Sequence, residues 1–513
     1  MNEYKISVSE LFYYLFWAIM LLTKGTGMYE GQSAYKLCLL LGAFFIVLKL
    51  IFTDYSILEL IICLIMVGFG GYIYFYSEDI SAIILVAVII GMKNISVERL
   101  FKIGGGIWAI CFIYMVVGTF FGVHTGPIMV HEKLGLGPLV RWSLGYTHPN
   151  VLHITYVILE SFILYLWYGK KKKCAALTIL LMIGNIYVFL YSLSFTGFLL
   201  ATGMLIINWY FTARNKISIC EKGIISSILP FILLFSLVGP FIIQGKLYDI
   251  INNILNSRYH AIKIYISELG IRLFGTRVAS ETSYALDNSY ANALLSYGII
   301  FFAILMLIYE TMIIVYIKEE RRRELVIILS LLIAGISEPF LFNTSFKNLT
   351  LVFLGGFIFE LLQKYCPNKK IIKIMSNLDI QIRFKLTAVN KVIEYMKKIV
   401  RNYKKKIVSA AMLIGLISMC MFVTIYKCPD SIYIKADSTD CGEMEVKFLN
   451  LEHLPDNFNS MILDYVDEDT PMYEFKGNTV TMEAVRGFVS SGLWGTLAGG
   501  FIFTIFLGIR KRL

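Results

Sequence analysis

The chain has 513 residues, of which 57% are hydrophobic and only 16% are charged. A soluble domain carries about 25% charged residues, so this composition excludes a soluble enzyme and indicates a membrane protein. The net charge of +11 comes almost entirely from residues 365–406, which hold twelve Lys and Arg against two Asp and Glu. A basic surplus beside membrane spans marks the cytoplasmic side, so it argues against nucleic-acid binding; contact with anionic lipid or with a partner remains open.

Hydropathy predicts about fourteen membrane-spanning helices, each near 20 apolar residues long. In chain order they lie at 7–22, 37–53, 57–76, 79–92, 103–121, 150–168, 174–191, 192–212, 223–243, 291–317, 325–343, 347–363, 407–426 and 487–508. No small-residue cleavage site follows the first span, which is therefore predicted to be an anchor rather than a signal peptide. The sequence thus predicts an all-α polytopic membrane protein.

Further basic clusters predict which ends of these spans face the cytoplasm. They lie at 170–173, 214–222, 318–323 and 510–512. Alternation of the spans then places both termini inside and three polar segments outside, at 122–149, 244–290 and 427–486. All six histidines fall on or near the outer side. They suit proton handling or phosphate contact, although histidine also simply avoids hydrocarbon.

The chain divides into three predicted parts. Residues 1–365 form a polytopic membrane domain that carries the first two outer loops. Residues 366–406 form a basic segment, predicted to be amphipathic helices on the inner membrane surface. Residues 407–513 form two spans joined by the outer segment 427–486, where alternation in IYIKAD and MEVKFLNL predicts short strands. Cys428 and Cys441 both lie in that segment, and the sequence leaves open whether they form a disulfide.

The first outer loop places Arg141 and Trp142 at the membrane surface, shortly before a predicted helix. Thr147 or His148 can cap that helix, and Pro149 suits its first position. Capping does not account for the arginine, which is a candidate for binding substrate. Between two later spans, the sequence SLSFTG at 192–197 is typical of close helix packing, with substrate contact as the alternative.

The second outer loop holds more candidate chemistry. Arg258 and His260 could bind a diphosphate, because guanidinium groups hold phosphate in a bidentate fork and stay charged. Asp287 could accept a proton from a hydroxyl, or could instead cap the next helix. Arg272 and Arg277 are weaker candidates, and all of these arginines could instead contact lipid headgroups.

Glu338 precedes a proline late in a predicted span. Burying a carboxylate in lipid is unfavourable, so an intramembrane carboxylate is a candidate for the functional site. The chain contains no P-loop, HExxH or CxxC motif. We therefore expect no metal and no cofactor, and the free energy for any reaction must come with the substrate or from a gradient.

Five short motifs in this order resemble the Wzy-type O-antigen or capsular polysaccharide polymerases of the O-antigen ligase and polymerase group. They are RWSLGYTHPN, YSLSFTG, NSRYHAIK, DNSYANALLSYGI and EPFLFNTSFKNLTLVFLG. The resemblance covers about residues 1–365. Many members have Ser-Arg-Thr-Gly where this chain has SFTG at 194–197, so the arginine is missing there.

The resemblance implies a GT-C-like helical core and glycan transfer at the outer face of the cytoplasmic membrane. The substrates would be oligosaccharide repeat units on undecaprenyl diphosphate, joined by transfer from the carrier to a sugar hydroxyl of the next unit. Neither ATP nor a nucleotide sugar would be needed. Partners would be membrane lipids, the lipid-linked glycan, and flippase and chain-length regulator proteins.

The resemblance also implies roles for individual residues. Arg141 and Arg258 would bind the departing diphosphate, assisted by His148 and His260. A carboxylate would orient or deprotonate the acceptor hydroxyl. The remaining candidates are Asp287 and Glu338 for that carboxylate, and Arg272, Arg277, Asn288 and Tyr290 for substrate binding.

Other functions stay open at this point. A ligase of the same group would transfer finished glycan to another acceptor, and the sequence does not separate the two reactions. A flippase or transporter would be expected to have charged residues along many spans and short outer loops, the opposite of this chain. The C-terminal part could regulate chain length or could dock onto and stabilise the membrane domain.

Overall fold

The computed structural model describes residues 4–132, 138–169, 171–279, 284–365, 371–372, 375, 378–384, 387–426, 431–435, 438–439 and 472–510. The helices are α1 (Val8–Gly25), α2 (Ser33–Ile51), α3 (Ile57–Ser77), α4 (Ser81–Gly91), α5 (Val97–Phe120), α6 (Pro149–Trp167), α7 (Lys171–Ser192), α8 (Phe195–Ala213), α9 (Ile219–Leu233), α10 (Gly239–Ile242), α11 (Gly245–Ile254), α12 (Arg258–Leu269), α13 (Ser289–Lys318), α14 (Arg322–Ala334), α15 (Thr350–Tyr365), α16 (Thr387–Ile425) and α17 (Asn478–Arg510). The strands are β1 (Tyr4–Ser7), β2 (Tyr55–Ser56), β3 (Ile128–Glu132), β4 (Pro138–Trp142), β5 (Ile371–Ile372), β6 (Gln381–Phe384), β7 (Ser431–Lys435), β8 (Ser438–Thr439) and β9 (Met472–Lys476).

Ten helical segments in the described part of the chain are long and apolar enough to cross a membrane. They are α2, α3, α5, α6, α7, α8, α9 with α10, α13, α16 and α17. This confirms the prediction of an all-α polytopic membrane protein. The predicted number of fourteen is higher because four further helices, α1, α4, α14 and α15, coincide with predicted spans. Of these, α4, α14 and α15 have only 11, 13 and 16 residues, less than the length that spans a bilayer.

One end of the helix bundle gathers most of the basic clusters, and we call it the basic end. The guanidinium of Arg322 donates to the carbonyl of Asn215 (2.7 Å), and that of Arg323 donates to the carbonyl of Tyr165 (2.6 Å). Arg99 donates to the carbonyl of Lys5 (3.2 Å), so the N-terminal strand lies at the same end. The predicted cytoplasmic loops are therefore close together in space.

The opposite end, which we call the loop end, is formed by the first two polar loops and by the connection 335–349. Residues 122–149 contain the antiparallel pair β3–β4, which the sequence analysis did not predict. The second loop contains α11 and α12. Strand β8 adds to β3 in parallel, with Met129 opposite Ser438 and Val130 opposite Thr439. The C-terminal outer segment thus joins the first loop.

Parts of the basic segment 366–406 differ from the prediction. Gln381–Phe384 is a strand that pairs with β1, so the amphipathic helix predicted there is wrong. Its residues alternate between apolar and polar, and the N-terminal strand offers free backbone groups, which together favour pairing. From Thr387 to Ile425 the chain forms α16, which is interrupted by non-helical backbone at Tyr403. This interruption lies three residues before the expected boundary at 406.

The C-terminal outer segment is only partly described. Strand β7 confirms the prediction for IYIK and pairs with β9 in antiparallel register. The sequence MEVKFLNL, and both Cys428 and Cys441, lie outside the described residues. Helices α16 and α17 pack closely on each other through small residues. A Cβ at Gly415 would lie 2.0 Å from the hydroxyl oxygen of Thr496, so this crossing requires glycine.

The connection 335–349 is not helical, although hydropathy extends the predicted span to residue 343. Helix α14 ends at Ala334, four residues before Glu338. Pro339 disfavours helical geometry at the residue before it, which explains the early end. Buried side chains donate to backbone carbonyls of the connection that have no helical partner: the Tyr297 hydroxyl donates to the carbonyl of Phe342 (2.5 Å), and the Asn348 amide donates to that of Leu341 (2.8 Å).

Candidate functional site

Arg258 is the centre of a buried charged cluster at the loop end. The chain turns from α11 into α12 through Asn256 and Ser257, both in left-handed geometry with φ of 51° and 64°. Arg258 follows immediately as the first residue of α12 and is only 6% exposed. Its guanidinium donates to the carbonyls of Leu255 (2.9 Å) and Asp287 (3.2 Å). These two bonds hold the side chain in a single orientation.

Two carboxyl groups face the remaining nitrogen of that guanidinium. Nη2 of Arg258 lies 3.6 Å from Oδ2 of Asp287 and 3.9 Å from Oε1 of Glu338. Both distances are longer than a direct charged hydrogen bond, which is about 2.7–2.9 Å. The nitrogen is therefore within electrostatic reach of both carboxyl groups without a close hydrogen bond to either.

Asp287 is not the cap of α13, so that alternative prediction is wrong. The cap is Asn288, whose Oδ1 accepts from the backbone N–H groups of Tyr290 (3.0 Å) and Ala291 (2.9 Å). The Asn288 amide also donates to the carbonyl of Ile336 (2.8 Å), which ties the start of α13 to the connection. Asp287 is left to face Arg258. Burial raises the pKa of Asp287, and the charge of Arg258 opposes that rise.

Glu338 is 6% exposed and is held through its backbone. Its carbonyl accepts from the hydroxyl of Ser289 (2.6 Å), and its N–H donates to the carbonyl of Ala334 (3.1 Å). Oε1 is buried and has no hydrogen-bond partner among the described residues. Burial raises the pKa of Glu338 to about 8, against the opposing effect of Arg258. Burial therefore favours the neutral form of this carboxyl group.

Lys347 is a member of the cluster that sequence reasoning missed. It is 6% exposed and lies in the same connection as Glu338, with which it interacts electrostatically. Burial lowers the pKa of Lys347, as does the nearby positive charge of Lys24. The available signal was a lysine inside the apolar stretch SFKNLTLVF, where an ammonium group needs a partner.

Arg141 and His148 bring the first loop to the cluster. The Arg141 guanidinium donates to the carbonyl of Ser192 (2.8 Å) and to the side chain of Asn150 (2.6 Å), and its charge acts on Glu338. His148 caps α6, accepting from the N–H of Asn150 (3.0 Å) with Pro149 at the first helical position, as one prediction had it. Burial, followed by the nearby charge of Arg141, lowers the pKa of His148 to about 4.

Four other candidates lie elsewhere. Arg277 is 69% exposed and pairs with Glu78 at 3.0 Å. His260 is exposed against the ring of Tyr284, because two helical residues turn the side chain about 200° from Arg258. Tyr290 is fully buried and donates to the carbonyl of Leu332 (2.5 Å), so its role is in packing. The fourth, Arg272, has an exposed side chain and holds the chain through its carbonyl, which accepts from Ile299 (3.0 Å).

The cluster carries an excess of positive charge. Arg141, Arg258 and Lys347 are buried basic side chains, and the two arginines keep their charge, whereas burial favours the neutral forms of Asp287, Glu338 and Lys347. A buried site of this kind attracts a compact anion with several oxygen atoms, such as a diphosphate. Within the described part of the chain, no three His, Cys, Asp or Glu side chains are grouped so as to hold a metal ion.

Comparison of the chain with protein-family models, with curated proteins and with solved structures found no match.

Proposed function

We propose that this protein is a membrane glycosyltransferase that polymerises oligosaccharide repeat units carried on a polyprenyl diphosphate, undecaprenyl diphosphate in bacteria. The observation that carries the proposal is the buried guanidinium of Arg258, with one nitrogen facing both Asp287 and Glu338. This arrangement puts an anion-binding group beside two groups capable of proton transfer. The GT-C-like core and the location of the site at the outer face of the cytoplasmic membrane belong to the same proposal.

In the proposed reaction, a hydroxyl oxygen of the acceptor sugar attacks the anomeric carbon of the donor glycan. The bond from that carbon to the lipid diphosphate breaks, and the diphosphate leaves with the electron pair. Arg258, Arg141 and Lys347 stabilise the negative charge that develops on the leaving group. The hydroxyl proton passes to a carboxylate, for which Asp287 and the ionised form of Glu338 are the candidates.

The location of the charged cluster favours glycan transfer over transport. A transporter of a charged lipid headgroup needs polar side chains along the membrane interior. Here the described basic and acidic members of the cluster meet at the loop end, next to the segments that the sequence predicts to be outside. A polymerase and a ligase share this chemistry and differ in the acceptor, so analysis of the products distinguishes the two activities.

The deciding experiment is a glycan profile of a strain that lacks the protein, complemented with the wild type, with Arg258→Ala or with Arg277→Ala. We expect Arg258→Ala to lose the polymer ladder and to accumulate single repeat units on the lipid, whereas Arg277→Ala restores the ladder. Membrane insertion of each variant is checked by blotting. Long lipid-linked chains in the deletion strain would instead indicate a ligase, and units trapped on the inner leaflet would indicate a flippase.

A further inference from the structure

The C-terminal helix α17 reaches the loop end and inserts a further buried arginine there, in addition to Arg141 and Arg258. Arg486 is only 2% exposed. Its guanidinium donates to the carbonyl of Val140 (2.7 Å) in β4 and to the carbonyl of Leu190 (2.6 Å) in the last turn of α7. It also forms an ion pair with Glu483, one turn earlier in α17. Each of the three guanidinium nitrogens of Arg486 thus donates to an acceptor.

These contacts enclose Arg141. Val140, which precedes it, is bound by Arg486, and Trp142, which follows it, donates from its indole nitrogen to Glu483 (3.1 Å). One turn of α17 therefore contacts the residues on both sides of Arg141, Val140 through its carbonyl and Trp142 through its side chain. A displacement of that turn would move β4 and the guanidinium that β4 carries.

The two arginines also share the same helix end. The last carbonyls of a helix lack intrahelical partners and carry the negative end of the helix dipole. In α7, Arg486 binds the carbonyl of Leu190 and Arg141 binds that of Ser192 (2.8 Å). Since both side chains are bound to the same rigid helix end, their positions depend on each other.

Further contacts fix α17 to α7. The hydroxyl of Ser490 hydrogen-bonds those of Tyr187 (3.2 Å) and Tyr191, and the Trp494 indole donates to the Tyr187 hydroxyl (3.0 Å). Their location one turn and two turns beyond Arg486 gives this side of α17 a continuous polar contact with α7. The helix therefore has the rigidity that positioning another residue requires.

We propose that Arg486, together with Glu483, is a positioning residue for Arg141, so that the C-terminal part of the chain completes the anion-binding site of the membrane domain. The inference rests on the proposed function in one respect, namely that Arg141 binds the lipid diphosphate. The contacts of Arg486 and Glu483 with β4 do not depend on that function, and they are tested separately.

The first measurement tests, without any ligand, whether Arg486 holds β4 in place. Hydrogen exchange of the full-length protein in lipid nanodiscs is recorded by mass spectrometry for the wild type, Arg486→Gln and Arg510→Gln. Arg510 lies exposed at the other end of α17 and is the matched control. We expect faster exchange in residues 138–150 for Arg486→Gln alone. Unchanged exchange in that segment would overturn the positioning role.

The second measurement is a binding cycle with farnesyl diphosphate as the probe, using the wild type, Arg141→Gln, Arg486→Gln and the double variant. We expect Arg486→Gln to weaken binding about ten-fold, and the double variant to bind no more weakly than Arg141→Gln. Losses that multiply would show that Arg486 does not act through Arg141. A wild type that does not bind the probe would count against the proposed function. Hydrogen exchange would still test whether Arg486 holds β4 in place.

Discussion

Nη2 of Arg258 lies 3.9 Å from Oε1 of Glu338, and these two residues come from segments that are separated in sequence by the whole of α13 and α14. The arginine begins α12, and the glutamate lies four residues after α14 ends at Ala334, directly before Pro339. Asn288 joins the two segments by capping α13 and bonding the carbonyl of Ile336. A buried guanidinium is thereby fixed opposite an acid that favours its neutral form.

Replacing Arg258 tests the anion-binding role. Arg258→Ala removes a charge-assisted donor, and we expect the affinity for a prenyl diphosphate to fall by about 100-fold. Arg258→Lys should recover only part of this affinity, because an ammonium cannot reproduce the planar fork. Isothermal titration in nanodiscs measures both. Arg277→Ala is the control, since that arginine is exposed and paired with Glu78; equal losses in the two alanine variants would contradict the assignment.

The pKa of Glu338 predicts a pH dependence. If Glu338 is the base, it acts in its ionised form, so kcat/KM should rise with pH and level off above its pKa of about 8. Glu338→Gln should abolish this rise, whereas Glu268→Gln, on an exposed position of α12, should keep it. Initial rates with a synthetic lipid-linked repeat unit provide the profile. A profile for Glu338→Gln with the same rise would assign the base elsewhere.

Lys347 should tune that profile. Its positive charge lowers the pKa of Glu338, so Lys347→Gln removes an opposing effect and the pKa of Glu338 should rise further. We therefore expect the rising limb of kcat/KM to move to higher pH, together with weaker diphosphate binding. The same rate assay measures the displacement. A limb that moves to lower pH would show that Lys347 does not lie against Glu338 in the working protein.

Asp287 and Asn288 are neighbours with separable roles. Asn288→Ala removes the cap of α13 and should lower the free energy of unfolding by about 1 kcal/mol. Asp287→Asn leaves that cap in place and should lower the rate of transfer with little change in stability. Thermal unfolding in detergent and the transfer assay are run on both variants. A reversed pattern, with Asp287→Asn the less stable protein, would restore the capping role to the aspartate.

His148 predicts a loss of stability in mild acid. Its pKa is lowered to about 4 in the folded protein, below the usual value of 6.5, so the unfolded chain binds the proton more readily. The stabilisation that the folded protein gains from neutral His148 is therefore fully present above about pH 6.5 and is lost as the pH falls toward 4. His148→Asn keeps a capping side chain and should flatten this part of the dependence. Melting temperatures from pH 4 to 7 test this, and parallel curves would contradict it.

Much of the architecture follows from the sequence because hydropathy is a property of short windows. The apolar runs located every helix long enough to cross the membrane, and the basic clusters grouped the loops that meet at the basic end. Local rules were also sufficient for the cap at His148 and for strand β7. Such rules failed at residues 381–384, where an alternating segment forms a strand only because β1 is available as its partner.

The candidate site was predictable only in part. Arg258, Asp287, Glu338 and Arg141 were singled out by residue type, since charged groups are few among so many apolar ones. Which of them meet was decided by tertiary structure. His260 is two residues from Arg258 yet points to the other face of its helix. Lys347 lies within the motif EPFLFNTSFKNLTLVFLG but was not singled out, and Arg486 joins from a segment without a recognisable motif.

The sequence by itself therefore determined that the chain is a polytopic helical membrane protein and which polar segments hold the candidate residues, because burial in lipid imposes length and composition on every span. Only the tertiary structure decided that Arg258 faces Glu338 and that α17 holds the strand of Arg141. Those contacts depend on helix phase, on early helix ends and on packing between distant segments, which no local window of sequence contains.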